Sequence, residues 1–220
     1  MHRLMIFALL ATPVFAQKPH HEEPGGHHQH HDRSAKEWAE VLERKDREEW
    51  QKPEEVVAAL GLKAGQQVAD IGAGSGYFSV RLARAVGPQG KVYAVDIQQD
   101  LMDLLGARAK DENLANLAPT LGTPEDPNLK AGSVDLIFIC DVVHHIENRQ
   151  AYYGKLAQAL KPGGRIAIVD FYKRELPVGP GVAMKIAKPD MVTELEQAGF
   201  TLQKEHDFLP YQYFLVFGRR

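Results

Sequence analysis

Cysteine is nearly missing from the 220-residue chain: Cys140 stands alone. That excludes an internal disulfide and any zinc or iron–sulfur centre built on cysteine. A dominant charge is missing too. The 26 Lys and Arg against 29 Asp and Glu leave a net charge of −3, so nothing in the balance favours nucleic acid or an anionic membrane as a partner. After the first sixteen residues no apolar run approaches the roughly 20 residues of a membrane span. No internal repeat is visible. What remains is ordinary: 44% apolar and 25% charged residues suffice for a core and exclude wholesale disorder. The length suits one domain of roughly 150–200 residues.

Histidine is unevenly spread, with six of the ten between His20 and His31. Ahead of them, Arg3 is followed by an uncharged stretch, residues 4–14, and by Val14-Phe15-Ala16 in a small-x-small pattern. This layout predicts a signal peptide over residues 1–16, cleaved after Ala16, and a periplasmic or secreted protein with no stable membrane span after cleavage. The competing reading is an uncleaved tether, or a cytoplasmic chain with an apolar start. No cysteine follows the cut to carry a lipid. Residues 17–33 have no apolar period and are expected to be disordered. Their imidazoles, with Glu22, Glu23 and Asp32, suit loose binding of a divalent metal. Without fixed geometry they offer no catalytic metal, and a solvated spacer is the favoured reading.

Order is expected from Ser34. Ser34-Ala35-Lys36-Glu37 is a capping box, and Trp38, Val41 and Leu42 form a helical stripe. Pro53 opens a second helix that Gly61 closes. Residues 34–61 thus read as N-terminal helices covering the pocket of the main domain, residues 62–220. Trp50, in a charged setting between the two helices, either packs them onto the domain or walls a ligand pocket.

From residue 66 short apolar strands alternate with helices. Strands are expected at 67–71, 91–95, 118–121, 134–140 and 165–171, with helices at 77–86, 101–109 and 148–160 and another opened by Pro189. Two final strands, 201–206 and 211–217, meet in a turn. Nearly continuous apolar strands between helices indicate a parallel sheet covered on both faces, and the turn indicates an antiparallel C-terminal hairpin. The fold class is α/β: a doubly wound, mostly parallel sheet.

In such a sheet ligands bind beyond the carboxyl ends of the strands. There lies Asp70-Ile71-Gly72-Ala73-Gly74-Ser75-Gly76-Tyr77, whose glycines permit a sharp turn and bring bare backbone to a ligand ahead of a helix N-terminus. A dinucleotide fingerprint wants a glycine where Tyr77 stands, and Asp70 would repel a pyrophosphate. Both features point to a zwitterionic or cationic ligand carrying a ribose. Asp96, one crossover onward, has the acceptor capacity for both hydroxyls of that ribose.

The run VADIGAGSGYFSVRLA (residues 68–83), with Asp96, with GSVDLI leading to CDVVHHI (residues 132–146) and with LKPGGRI (residues 160–166), resembles the class I S-adenosylmethionine-dependent methyltransferases from residue 52 to the C-terminus. The resemblance implies a Rossmann-like, seven-stranded sheet of order 3-2-1-4-5-7-6 and S-adenosyl-L-methionine as cofactor. By the same resemblance Asp70, Gly72, Ala73, Gly74 and Gly76 hold its methionine part, and Asp96, with Ile97 beside it, holds its ribose. Relatives place an acidic residue near the adenine after the third strand. Here Thr123 interrupts the usual Gly-Asp, and Glu125 or, preferably, Asp126 takes that place unless the segment is a plain turn. Asp141 faces the methionine end in similar proteins; capping a helix is the other reading.

Methyl transfer requires alignment of donor and acceptor and exclusion of water; a general base enters only for a protonated acceptor. His144 and His145 are the candidates, one toward the pocket and one packed inward; shaping the pocket or making a core hydrogen bond is the other reading. The acceptor is expected to be a small molecule, chosen by the N-terminal helices and by residues 171–181, where Tyr172, Lys173 and Arg174 suit an anion; a surface connection is the other reading of that stretch. Two other functions compete: an exported, noncatalytic binder of the nucleoside and metal, and a nicotinamide-dependent oxidoreductase. No feature assigns an oligomeric state.

Overall fold

The computed structural model describes residues 34–220. The expected signal peptide and His-rich segment lie outside the described residues.

Seven strands form one sheet: β1 (Gln67–Ile71), β2 (Lys91–Asp96), β3 (Leu117–Leu121), β4 (Val134–Cys140), β5 (Leu160–Phe171), β6 (Phe200–His206) and β7 (Gln212–Arg219). Their order is β3-β2-β1-β4-β5-β7-β6, as the resemblance implies. The first five pair in parallel, while β7 runs antiparallel to both β5 and β6. Leu136, Ile137, Phe138 and Ile139 are all fully buried, because helices cover both faces of the strand that carries them. This is why β4 reads as an apolar run from Leu136 to Cys140, after Asp135 near its start.

The two faces carry separate cores. Helices α3 (Pro53–Ala59), α4 (Ser79–Val86) and α5 (Gln99–Asp111) pack on one, and α6 (Arg149–Ala159) and α7 (Lys188–Gln197) on the other. Alternation along β5 divides its side chains accordingly: Ala167 and Val169 join the first core, and Ile166 and Ile168 the second. No helix occupies residues 122–133 between β3 and β4. With β2 on one side of β1 and β4 on the other, the chain reverses its direction of winding there, which opens a crevice at their carboxyl ends.

At the N-terminal side, helix α1 (Ala35–Leu42) has the expected capping box: Glu37 Oε2 accepts from the Ser34 backbone N–H at 2.8 Å, and Ser34 Oγ accepts from Glu37 N–H at 3.4 Å. Three details differ from the sequence reading. An additional helix, α2 (Asp46–Gln51), fills the segment before Pro53. The helix expected from Tyr77 starts at Ser79, since the glycine turn extends through Phe78. β5 starts at Leu160 rather than Arg165, running through Pro162-Gly163-Gly164 with an irregular register against β4.

Candidate functional site

The turn after β1 is fixed by its backbone. Gly72 and Ala73 both donate to the Val95 carbonyl, at 2.8 and 2.9 Å, tying the loop to β2. Gly72, Gly74 and Gly76 have φ of +70°, +55° and +87°, a region that side chains rarely tolerate. Space demands glycine as well. A Cβ on Gly72 would lie 2.2 Å from Val142 Cγ2, one on Gly74 2.7 Å from Leu42 Cδ1, and one on Gly76 2.3 Å from Leu105 Cδ1. Leu105 packs beneath the loop, while Val142 and Leu42 wall its outer side. Helix α1 thus lies over the loop through Leu42, on the side where residues 34–61 are expected to cover the pocket.

Asp96 ends β2 as expected and is already engaged: Oδ2 accepts from Gly74 N–H at 2.9 Å, and Oδ1 from Ile97 and Gln98 N–H at 2.7 and 3.2 Å. Ile97 beside it and Leu121, its neighbour on β3, are 55% and 44% exposed. Two large apolar side chains thus flank the carboxylate at the edge of the crevice.

Asp70 is buried and turned to Ser79, whose hydroxyl donates to it at 2.5 Å. Burial raises its pKa to about 7; the Asp96 charge adds to this, while the Ser79 hydrogen bond and the Arg47 charge oppose it. Near neutrality Asp70 therefore carries only part of its negative charge.

Asp141, just past β4, has φ of +60° and caps no helix. Its carboxylate accepts from the Gln51 side-chain amide at 2.9 Å and from that of Gln212 at 2.5 Å, with the Arg47 guanidinium 3.8 Å away. Burial outweighs these partners and raises its pKa to about 6. Gln51, itself fully buried, also donates to Cys140 Sγ and Gln212 Oε1. Arg47 lies 4.1 Å from the centroid of the Tyr77 ring and donates to the Leu42 carbonyl at 2.6 Å. Helix α2 thus reaches the carboxyl end of β4 and holds α1 above the glycine loop.

Asp126 serves a turn: it accepts from Asn128 N–H at 2.9 Å and pairs with Lys155 at 3.0 Å, and the Asn128 bond leads in holding its pKa low. His144 and His145 follow in a 3₁₀ turn, Val143–His145, with ring centroids 4.3 Å apart. His145 is exposed. The His144 side chain is 3% exposed, and its Nδ1 lies 3.1 and 3.2 Å from the two oxygens of fully buried Asp170. Burial disfavours the imidazolium, but the Asp170 hydrogen bond and charge outweigh it, so the pKa rises. Trp50 sits against Phe171 and Tyr211, at 5.8 and 6.4 Å between centroids; it packs α2 onto the end of β5.

Sequence reasoning did not single out Arg47, Asp170 or Gln212. A carboxylate inside the apolar run of β5 was the available signal for Asp170; Arg47 and Gln212 carried none. A larger cleft of about 640 Å³, lined by Gln99, Met102, Gly106, Pro119 and Leu121, lies between α5 and β3 and touches this region only at Leu121.

The family model of the methyltransferase domain matches residues 62–208. A demethylmenaquinone methyltransferase of Lactococcus lactis is 25% identical over 119 residues, 54% of this chain and 47% of that protein. A ubiquinone/menaquinone biosynthesis C-methyltransferase of Pseudomonas putida is 28% identical over 114 residues, 51% and 44% of the two chains. The chain thus spans about half the length of these curated relatives. Among solved structures, a SAM-dependent methyltransferase from Aquifex aeolicus superimposes with a TM-score of 0.80 at 26% identity, covering 85% of this chain and 99% of that one.

Proposed function

Because the chain belongs to the methyltransferase domain family, with S-adenosylmethionine as its methyl donor, we propose that it methylates a small organic molecule by in-line transfer. One observation carries this reading: a three-glycine turn at the β1–β4 crevice is bonded directly to Asp96, the acidic residue one crossover away.

The residues present fit the donor. A carboxylate has about four acceptor positions; backbone N–H groups take three on Asp96, which leaves one for a ribose hydroxyl. Ile97 and Leu121 offer apolar surface to an adenine ring. In the loop segment, Ser75 Oγ and Tyr77 OH are buried without a hydrogen-bond partner among the described residues, and such atoms cost about 1–3 kcal/mol each unless a ligand satisfies them. Gly72, Ala73 and Gly74 would line the methionine part once the Val142 and Leu42 side chains give way, with Asp70 and Asp141 behind it, while Gly76 packs on Leu105 beneath the loop. Asp126, held in its turn, is not needed.

When bound, the donor supplies a methyl group on a positively charged sulfur. The chain's own contribution is placement and shelter. Leu42, Val142 and the Arg47–Tyr77 stack exclude water from the loop. Asp70 and Asp141, each still partly ionised near neutrality, favour a cationic ligand. His144, oriented by Asp170, can accept a proton from an acceptor; His145 stands farther out.

Calorimetry with S-adenosylhomocysteine and with NAD tests the reading. Binding of the sulfur nucleoside supports it, and binding of NAD alone reverses it. Donor turnover over a panel of acceptors separates an enzyme from a noncatalytic binder. On the sequence pattern of residues 1–33 we also propose export with cleavage after Ala16; a mature chain retaining Met1 overturns that.

A further inference from the structure

A second cleft, of about 440 Å³, opens at the carboxyl ends of β4 and β5, where His144, Lys173, Met184, Lys185, Ile186 and Asp190 meet. Its volume is that of a small-molecule site. Lys185 is the unusual member. It follows the 3₁₀ turn Val182–Met184, is only 3% exposed, and gives one hydrogen bond, to the Arg174 carbonyl at 2.9 Å. Its ammonium also lies 5.9 Å from the centroid of the Phe171 ring and feels the charge of Glu175, but among the described residues no carboxylate lies within 4.0 Å of it. An ammonium has three donors, and buried lysines normally have an anionic partner. The other cations are differently placed. Arg149 is spent on Glu194 through two bonds of 2.7 Å, and Lys173 is exposed at the mouth, as is Asp190. On the opposite wall, Asp170 holds Nδ1 of His144, which leaves Nε2 for a ligand. Met184 and Ile186 add apolar surface to the lining.

We propose that this cleft is the acceptor pocket and takes a small hydroxylated carboxylic acid, its carboxylate on Lys185 and its hydroxyl donating to Nε2 of His144. The proposal rests on the methyl-transfer reading for its purpose, but its binding chemistry stands apart from the donor. A carboxylate supplies the direct ion pair that Glu175 does not make, and a flat apolar body fits the lining residues Met184 and Ile186. A neutral ligand would leave the ammonium with only the Arg174 carbonyl, the Phe171 ring and the more remote Glu175 charge, and would add to its desolvation.

The probes are 4-hydroxybenzoate and its neutral isostere 4-hydroxybenzamide, titrated into the full chain with the His144 ring followed by nitrogen-15 NMR. The benzoate should produce a saturable shift of His144 and bind about tenfold or more tighter than the amide. Lys185→Met should lose about tenfold in benzoate affinity and Lys185→Arg should retain most of it, with calorimetric affinity for S-adenosylhomocysteine unchanged in both. Equal affinity for the two probes, no saturable shift at His144, or full benzoate binding by Lys185→Met overturns the proposal. If Lys185→Met fails to fold, the probe ratio in the unaltered chain still decides. Loss of nucleoside binding with the benzoate preference intact refutes the donor reading and leaves the pocket standing.

Discussion

Replacing Asp70 by Asn should change how stability depends on pH. The carboxyl is buried against Ser79 and its pKa rises from 3.8 to about 7. Between those values the folded chain holds a proton that the unfolded chain has released, so stability falls as pH rises. The contribution is fully present below about pH 3.8 and lost by pH 7, above which the slope vanishes. At about 1.4 kcal/mol per unit, the 3.2-unit difference (7 − 3.8) amounts to up to about 4 kcal/mol. Asn does not titrate, yet its carbonyl can still accept from Ser79. The stability of Asp70→Asn minus that of the unaltered protein should therefore climb from pH 4 to pH 7 and then level off. Urea unfolding followed by the fluorescence of Trp38 and Trp50 measures both proteins at each pH, and titrations elsewhere, Asp141 included, cancel in the difference. Parallel pH curves would refute the reasoning, because they would mean that Asp70 is ionised in the folded chain throughout.

Asp96→Ala should weaken S-adenosylhomocysteine binding by about 1–3 kcal/mol in calorimetry; unchanged affinity removes the ribose role. Gln51→Leu strips an amide donor from both Asp141 and Gln212 in the interior and should cost about 1–3 kcal/mol, read as a lower thermal midpoint; an unchanged midpoint would mean that water replaces it freely. Gly72→Ala meets both a φ of +70° and Val142 at 2.2 Å, and should destabilise by about 2–5 kcal/mol. Adding Val142→Ala should recover only the steric part, so full recovery in the double variant would show that the backbone conformation carries no strain.

Strand positions were legible because burial on both faces writes them as apolar runs, and β1 and β4 match the reading residue for residue. The order of the sheet came from the resemblance, since periodicity does not say which strands are neighbours. Helix α2 was hidden: four of the six residues in Asp-Arg-Glu-Glu-Trp-Gln are charged, and the segment is held by tertiary bonds of Gln51 and Arg47 rather than by an apolar stripe. The glycine turn and Asp96 were legible because their roles are backbone roles tied to chain position. Lys185 was not, because its burial depends on how residues 172–187 fold back over β5. Asp141 and Asp170 show the same limit: local sequence gives their place at strand ends, but their partners come from segments as far as 90 residues away.

Gln51 has a practical consequence for anyone trimming this protein. A fragment cut to residues 62–208 would discard both ends of the bridge that Gln51 and Gln212 make over Asp141. It would also discard β7, which lies between β5 and β6. The excised piece would present two raw sheet margins and an undressed acidic group, inviting clumping in the test tube. Head and tail of the polypeptide are therefore better regarded as one clasp, to be kept or removed together.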